Sequence, residues 1–521
     1  MKQIKSIILT AVSASLLLTS CTEGYEAMNM NPGGVTKKEM ERDGYSLRSA
    51  MLNLENWAMP TDVNTCQLID CLGGGTWGGY LSDSNSGFNG KNFSTFCTDE
   101  GWNSSLFKDI IPQMFVYTGK VAEATNDPVP NAVAKIIKVF GLQRVTDAFG
   151  PIPYTHVGKE GKLNAPYDDQ KTVYYAMFDE LNAAIKTLTE RQTANFNGKA
   201  DHIFGGNVVK WVRFANSLKL RMALRIVNVD PDKAKQEGES AVTGLGVMKG
   251  NDDTAQMTPA GKNPFYVVMH EYNGGDSRVN ANITTFMNGY DDPRRSAMFT
   301  KTTFADKDNA YNGLRSGIII PGADIAHAYS NYNVTMTTPL LWMNAAEVAF
   351  LKAEAVLRGW NMGGGTAEQF YNEGIRLSFD QWKVAGADKY LANDTRTPAA
   401  YIDPAGDNGF SSAPSNITIK WDSNASFNTN LERIITQKWI ANFPLGHEAW
   451  SEYRRTGFPR LMPAMVDKSG GVVDLSRGAR RQTFTQAERS DNHDNYLKAV
   501  EMLGGPDNLS TDVWWLSLIH I

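Results

Sequence analysis

The stretch NVVKWVRFANSLKLRMALRI places Trp211, Ala215, Leu218, Met222 and Ile226 at spacings of four, three, four and four. Residues three and four apart stack on one face of an α-helix, so this spacing predicts an amphipathic helix with one buried stripe. Arg213, Arg221 and Arg225 fall mostly off that stripe. QKTVYYAMFDELNAAIKTL repeats the pattern through Val173, Met177, Leu181, Ala184 and Leu188, and WMNAAEVAFLKAEAVLRGW repeats it through Ala345, Val348, Leu351 and Ala355. Gly359 then supplies a C-cap. Ala345, Ala346, Ala349 and Ala353 leave room for a second helix to approach closely, as in a tetratricopeptide-like pair. No clean repeat of about 34 residues, the tetratricopeptide period, is present. The chain is therefore expected to be mainly α-helical.

Glycine, at 46 of 521 residues, is abundant for such a chain, and it concentrates between the helical stretches. The longest intervening segments are CLGGGTWGGYLSDSNSGFNGKNFSTF, HEYNGGDSRVNANITTFMNGYDDPRR and DTRTPAAYIDPAGDNGFSSAPSNITIKWDSNAS. Long loops on a rigid scaffold are where binding residues concentrate.

The amino terminus has its own logic. Lys2 and Lys5 precede an apolar run from Ile7 to Leu18. That run is shorter than the ~20 apolar residues a bilayer span requires, and it fits a secretory signal. It ends Leu18-Thr19-Ser20-Cys21, which looks like a bacterial lipobox. That resemblance implies cleavage before Cys21, lipidation of its thiol and acylation of the new amino terminus; several acyl chains hold a protein on a membrane where one does not. An ordinary signal peptide with a coincidental cysteine is the alternative. No second run of about eighteen apolar residues follows, so the body is expected to be tethered rather than embedded.

The formal net charge of −5 and the lack of any basic run exclude a nucleic-acid surface. Beyond Cys21 only Cys66, Cys71 and Cys97 remain, an odd number that cannot all pair. A Cys66–Cys71 disulfide and buried free thiols both stay open. Seven histidines and no zinc-type spacing predict no metal site, and no cofactor is expected.

Five segments, in order along the chain, carry a resemblance. DAFGPIPYTHV, KWVRFANSLKLRMALRI, DDPR, AAEVAFLKAEAVLRGW and GPDN…TDVWW resemble the SusD/RagB-like outer-membrane lipoproteins, and the start EGYEAMNMNPGGVT is similar to the branch with an Asn-x-Asn-Pro element. The resemblance implies an α-helical superhelix of tetratricopeptide-like pairs with loop-rich excursions. It implies a lipid-anchored protein on the outer face of the outer membrane, partnered with a SusC-type TonB-dependent transporter, to which it delivers oligosaccharides. A RagB-type peptide-binding lid, or a surface-complex component with no ligand of its own, are the alternatives. The expected organisation is a signal peptide at 1–20, a lipidated tether and entry segment at 21–45 and one helical domain at 46–515. The final residues 516–521, LSLIHI, are what CTGTCTCTTATACACATC, a transposase adapter string, encodes in frame, so they are read as an artefact.

A pyranose offers an apolar face for an aromatic ring and a rim of hydroxyls for short polar side chains. The first long loop provides Trp77 and Tyr80 among glycines that let a ring protrude, followed by Asp83, Asn85, Asn89 and Asn92. The second provides Tyr266, Tyr272, Asn273, Asp276 and Arg278. Trp77, Tyr80, Asn85, Asn89, Tyr266, Tyr272, Asp276 and Arg278 are the candidate ligand residues. Packing in the core is the competing role for the aromatic ones. The motif residues Pro151, Pro153, Tyr154, Asp291, Arg294, Trp514 and Trp515 read as structural. Catalysis is not expected. Glu347 and Glu354, seven apart, share a helix face instead of facing each other across a sugar, which suits capping or interhelix pairing. DSNSGFNG fails the EF-hand pattern, with Gly87 fifth from Asp83 and Ser94 at position twelve. Neither a G-x-S-x-G elbow nor a phosphate-binding P-loop occurs.

Overall fold

The computed structural model describes residues 42–159, 164–305 and 310–516. Cys21, most of the entry segment and all of the LSLIHI tail except Leu516 lie outside them. The fold is mainly α-helical, as the periodicity predicts. The longer helices are α1 (Tyr45–Ala58), α2 (Glu100–Lys108), α3 (Ile110–Ala124), α4 (Pro128–Phe149), α5 (Gln170–Thr189), α6 (Val208–Arg225), α7 (Pro231–Ala241), α8 (Ala281–Gly289), α9 (Ala345–Leu357), α10 (Ala367–Gln381), α11 (Phe427–Ala441), α12 (Gly446–Thr456) and α13 (His493–Leu503). Consecutive helices from α3 to α7 pack side by side, α9 packs on both α10 and α11, and α6 meets α9 in the middle.

The stripes are where the spacing puts them. Val173, Met177, Leu181, Ala184 and Leu188 on α5 and Trp211, Ala215, Leu218 and Met222 on α6 are all buried, as are Ala345, Val348, Leu351 and Ala355 on α9. Side-chain caps start these helices: Asp169 accepts from Thr172 N, Asn207 from Lys210 N and Asn344 from Glu347 N. Gly359, at φ +80°, ends α9 in the left-handed conformation that glycine tolerates.

Helix α6 departs from the one-stripe reading, because Arg221 and Arg225 are buried too. Arg221 is bidentate to Glu347 of α9, at 2.7 and 2.8 Å. Arg225 reaches Glu448 and Glu452 of α12, each at 2.5 Å, and Asp147 of α4 at 3.2 Å. Arg455 of α12 is bidentate to Glu354 of α9, both contacts at 2.7 Å. Glu347 and Glu354 are thus interhelix pairing groups. Buried ions need such partners, since an unpaired one costs several kcal/mol.

The motif residues are structural. Ile152 and Asp168 exchange backbone hydrogen bonds at the Pro151–Pro153 turn. Tyr154 is buried against Phe115 with the Lys138 ammonium over its ring. Arg294 pairs with Asp292, and Asp291, at φ +50°, holds Arg295. Trp515 is fully buried beneath Arg225 and Arg454. Cys66 and Cys71 are buried free thiols, and Cys97 is free and partly exposed.

Candidate functional site

The two candidate loops, far apart in sequence, meet as a two-stranded antiparallel sheet. β1 (Leu81–Asp83) pairs with β3 (Ser277–Val279) in the register Leu81–Val279, Ser82–Arg278 and Asp83–Ser277. The other strands, β2 (Ala255–Met257) and β4 (Leu340–Met343), form a separate pair. Asn280 extends the first sheet at one end, its backbone N–H donating to Tyr80 O at 2.8 Å; Ser84 N–H extends the other, donating to Asp276 O at 2.9 Å.

The glycines before β1 serve a different purpose from the one expected. The chain enters β1 through a π-helical run, Gln67–Gly75, packed on the start of α12. A Cβ on Gly74 would lie 2.6 Å from His447 N, one on Gly78 would lie 2.5 Å from Gly446 O, and one on Gly446 would lie 2.4 Å from Gly74 C. These glycines allow two backbones to touch; they do not push a ring outward. Tyr80 is accordingly 0% exposed. Its hydroxyl donates to Trp439 O at 2.5 Å and its ring stacks on Trp439. It has no surface to offer a ligand, which corrects its place among the candidates. Trp77 is 7% exposed; its indole N–H donates to Phe93 O at 3.0 Å and its ring packs on Trp450. Trp77 does border a cavity, with Phe96, Trp450, Tyr453 and Asn282, but at about 60 Å³ it holds a couple of waters and not a pyranose.

The polar candidates lock the loops together. The buried Asp276 carboxylate accepts from Gln67 Nε2 at 2.8 Å, Asn85 Nδ2 at 2.8 Å and Asn273 Nδ2 at 2.9 Å. Asn89 exchanges two hydrogen bonds with the backbone of Ile320, and Asn92 accepts from Thr95 N. Arg278 is buried and gives its guanidinium to the carbonyls of Gly274, Gly275 and Ser277; burial pulls it down to about 10. Burial pushes the Asp83 carboxyl up to about 7, and the Asp276 charge adds to that while a long hydrogen bond from Ser94 opposes it.

What remains at the surface is aromatic. Tyr266 and Tyr272 are half-buried, Tyr266 lying 5.3 Å from the His270 ring and Tyr272 donating to Asn64 Oδ1 at 3.3 Å. Beside them, Asn85 opens the short turn that carries Phe88, with Phe88 N–H donating to Asn85 O at 2.9 Å. The Phe88 and Trp102 rings meet edge to face at 5.0 Å, with the Lys91 ammonium over both. Phe88, Lys91 and Trp102 were not singled out in the sequence. The usable signal was Phe88 between Gly87 and Gly90 in an otherwise polar loop, and Trp102 on the first turn of α2 behind its Asp99 cap.

The scaffold is helical and its interlocked loops are aromatic-tipped, and among the described residues no group of side chains is placed to hold a metal ion. The chain belongs to the SusD-like family: the family model described as Susd and RagB outer membrane lipoprotein matches residues 27–516. A SusD homologue from Bacteroides uniformis is 47% identical, with a TM-score of 0.87 over 91% of this chain and 99% of that one. One from Bacteroides ovatus is 38% identical, with a TM-score of 0.85 over 91% and 99%. A chitin-binding SusD homologue from Flavobacterium johnsoniae is 37% identical, with a TM-score of 0.86 over 91% and 99%. Among curated protein sequences nothing matches. Among the described residues no helix is long and apolar enough to cross a membrane.

Proposed function

We propose that the protein is a non-catalytic, lipid-anchored receptor on the exterior face of the outer membrane, captures oligosaccharides there and delivers them to a SusC-type TonB-dependent transporter. The observation that carries the glycan reading is the likeness, over nearly the whole of both chains, to a homologue whose description is chitin-binding. The surface chemistry agrees with it. Tyr266 and Tyr272, with the Phe88–Trp102 pair, are the partly exposed rings of these loops, and the Asn85, Asn89 and Asn273 amides, tied to Asp276 and to the Ile320 backbone, hold the loops that carry them. Amphipathic rings of this kind suit a ligand that is apolar on one face and hydroxylated at its rim. Trp77, Asp276 and Arg278 act beneath this surface by fixing the two loops.

The test is binding of the soluble protein, residues 22–515, to chitooligosaccharides, other polysaccharides and peptides, with Tyr272→Ala and Trp102→Ala alongside. The expected result is a glycan bound by the parent and at least tenfold more weakly by one or both variants, at unchanged melting temperature. A peptide bound in preference to every glycan would replace this reading with the RagB-type one. Glycan binding indifferent to both variants would move the site off these loops.

A further inference from the structure

A second open groove lies on the helical scaffold, between α5 and α7 over the middle of α6. Its volume is about 460 Å³, within the roughly 300–1,000 Å³ of small-molecule sites. Its lining mixes apolar surface, including Ile185 and Leu245, with the polar side chains of Asn182, Lys186, Asn216, Lys219, Glu237 and Ser240, and holds no aromatic ring. Lys219 is 4% exposed. An ammonium has three donors, yet the one hydrogen bond the Lys219 ammonium makes among the described residues is to Asn182 Oδ1, at 2.9 Å. Glu237 lines the same groove, but its carboxylate is held by Lys233 Nζ at 2.7 Å and by Asn182 Nδ2 at 3.1 Å. No ion pair joins it to Lys219. Arg221, Arg225 and Arg455 are each matched by carboxylates, and buried Arg278, which meets no carboxylate, is satisfied by several backbone carbonyls, whereas the Lys219 ammonium has one acceptor. Burial pulls Lys219 below the usual lysine range; the nearby Glu237 charge opposes that pull without offsetting it, and the Lys233 charge adds to it.

We propose that this groove is a ligand site for a small hydroxylated carboxylate, a hexuronate in size and chemistry, whose carboxylate pairs with the buried Lys219 ammonium. The lining selects the class. With no ring to stack on, a neutral pyranose has little to hold it. A polyanion would meet Glu237 and Glu190 at the same walls. One negative charge suits Lys219, and hydroxyls suit Asn182, Asn216, Ser240 and the exposed Lys186. The groove shares no residue with the aromatic loop surface, so glycan capture and this site stand or fall separately.

Calorimetric titration of the purified protein with D-galacturonate, with D-galactose as the neutral control, tests the proposal. Saturable galacturonate binding is expected, with galactose at least tenfold weaker. Lys219→Met keeps the stem and removes the charge, and is expected to weaken galacturonate at least tenfold while leaving glycan binding at the loops unchanged. Should that variant not fold, Lys186→Met at the rim is the second arm, with a threefold or greater weakening expected. No saturable galacturonate binding at tens of millimolar, equal affinity for galactose, or binding undiminished in the folded variant would overturn the proposal.

Discussion

Trp77 shows how a residue's neighbours decide its role. In sequence it stands in GGGTWGGY, a ring among glycines, which reads as an exposed platform. In the fold Gly74 and Gly78 face His447 and Gly446, and the ring is sandwiched toward Phe93 and Trp450. Trp77→Ala is therefore expected to cost about 3–5 kcal/mol of stability, seen as an earlier urea midpoint, where Tyr272→Ala shifts it by less than about 0.5 kcal/mol. The contrast separates a core ring from a surface one. Asp83 carries a second expectation. Its pKa rises from 3.8 to about 7 on folding, so the folded state favours the protonated form. Its stabilising contribution is fully present below pH 3.8 and is lost as pH rises through about 7. Asp83→Asn fixes the neutral form. Melting temperatures measured from pH 4 to 8 should show the parent losing ground to the variant across that window, and parallel curves would remove Asp83 as the cause. None of this was legible locally, because Asp83, Asp276 and the α12 start meet only in the folded chain.

The helices were far more legible than the strands. A 3.6-residue stripe repeated over eighteen or twenty residues carries its own evidence, and α5 and α6 followed it. β1 and β3 have three residues each, too few for an alternation to register, and they pair across nearly two hundred positions. Helix α6 was half legible: its stripe was visible, but the acids awaiting Arg221 and Arg225 lie on α4, α9 and α12. The α9–α12 joint gives the matching prediction. Arg455→Met leaves Glu354 buried beside Arg358 alone and removes one partner of Glu452, so about 3–5 kcal/mol should be lost. The Arg455 and Arg358 guanidiniums overcome the burial penalty and hold the Glu354 carboxyl down at about 2. That contribution is present above pH 4.5 and is lost as pH falls through 2, the opposite sense to Asp83. Acid titration should thus unfold the parent in a lower pH range than Arg455→Met. Coincident acid midpoints would show that the pair does not govern the acid limb.

At the scale of the whole molecule the question is whether 521 residues make one unit. Chains beyond about 250–300 residues usually divide into separate cores. Here the contacts run against a division. Arg225 of the amino-terminal helices is held by Glu448 and Glu452 of α12, Arg221 by Glu347 of α9, and Gln482 N–H donates to Ala148 O at the end of α4. Trp515, next to the end of the described chain, lies under Arg225 and Arg454, so the last turn is bolted to both halves. One large apolar core then runs from Ala50 to Leu516, with two small satellite clusters, one around Leu314 and Tyr329 and one around Ala281 and Tyr401, beside it. A chain so cross-connected should unfold all or none, although its length alone would argue for two steps. Scanning calorimetry is expected to give a single transition whose calorimetric and van't Hoff enthalpies agree. Arg455→Met sharpens the test, because it weakens one joint between the halves. In a cooperative unit the variant's single transition moves to lower temperature intact. If the joint were a boundary between independent domains, the variant would split into two transitions, and the single-domain reading of 46–515 would fall with it.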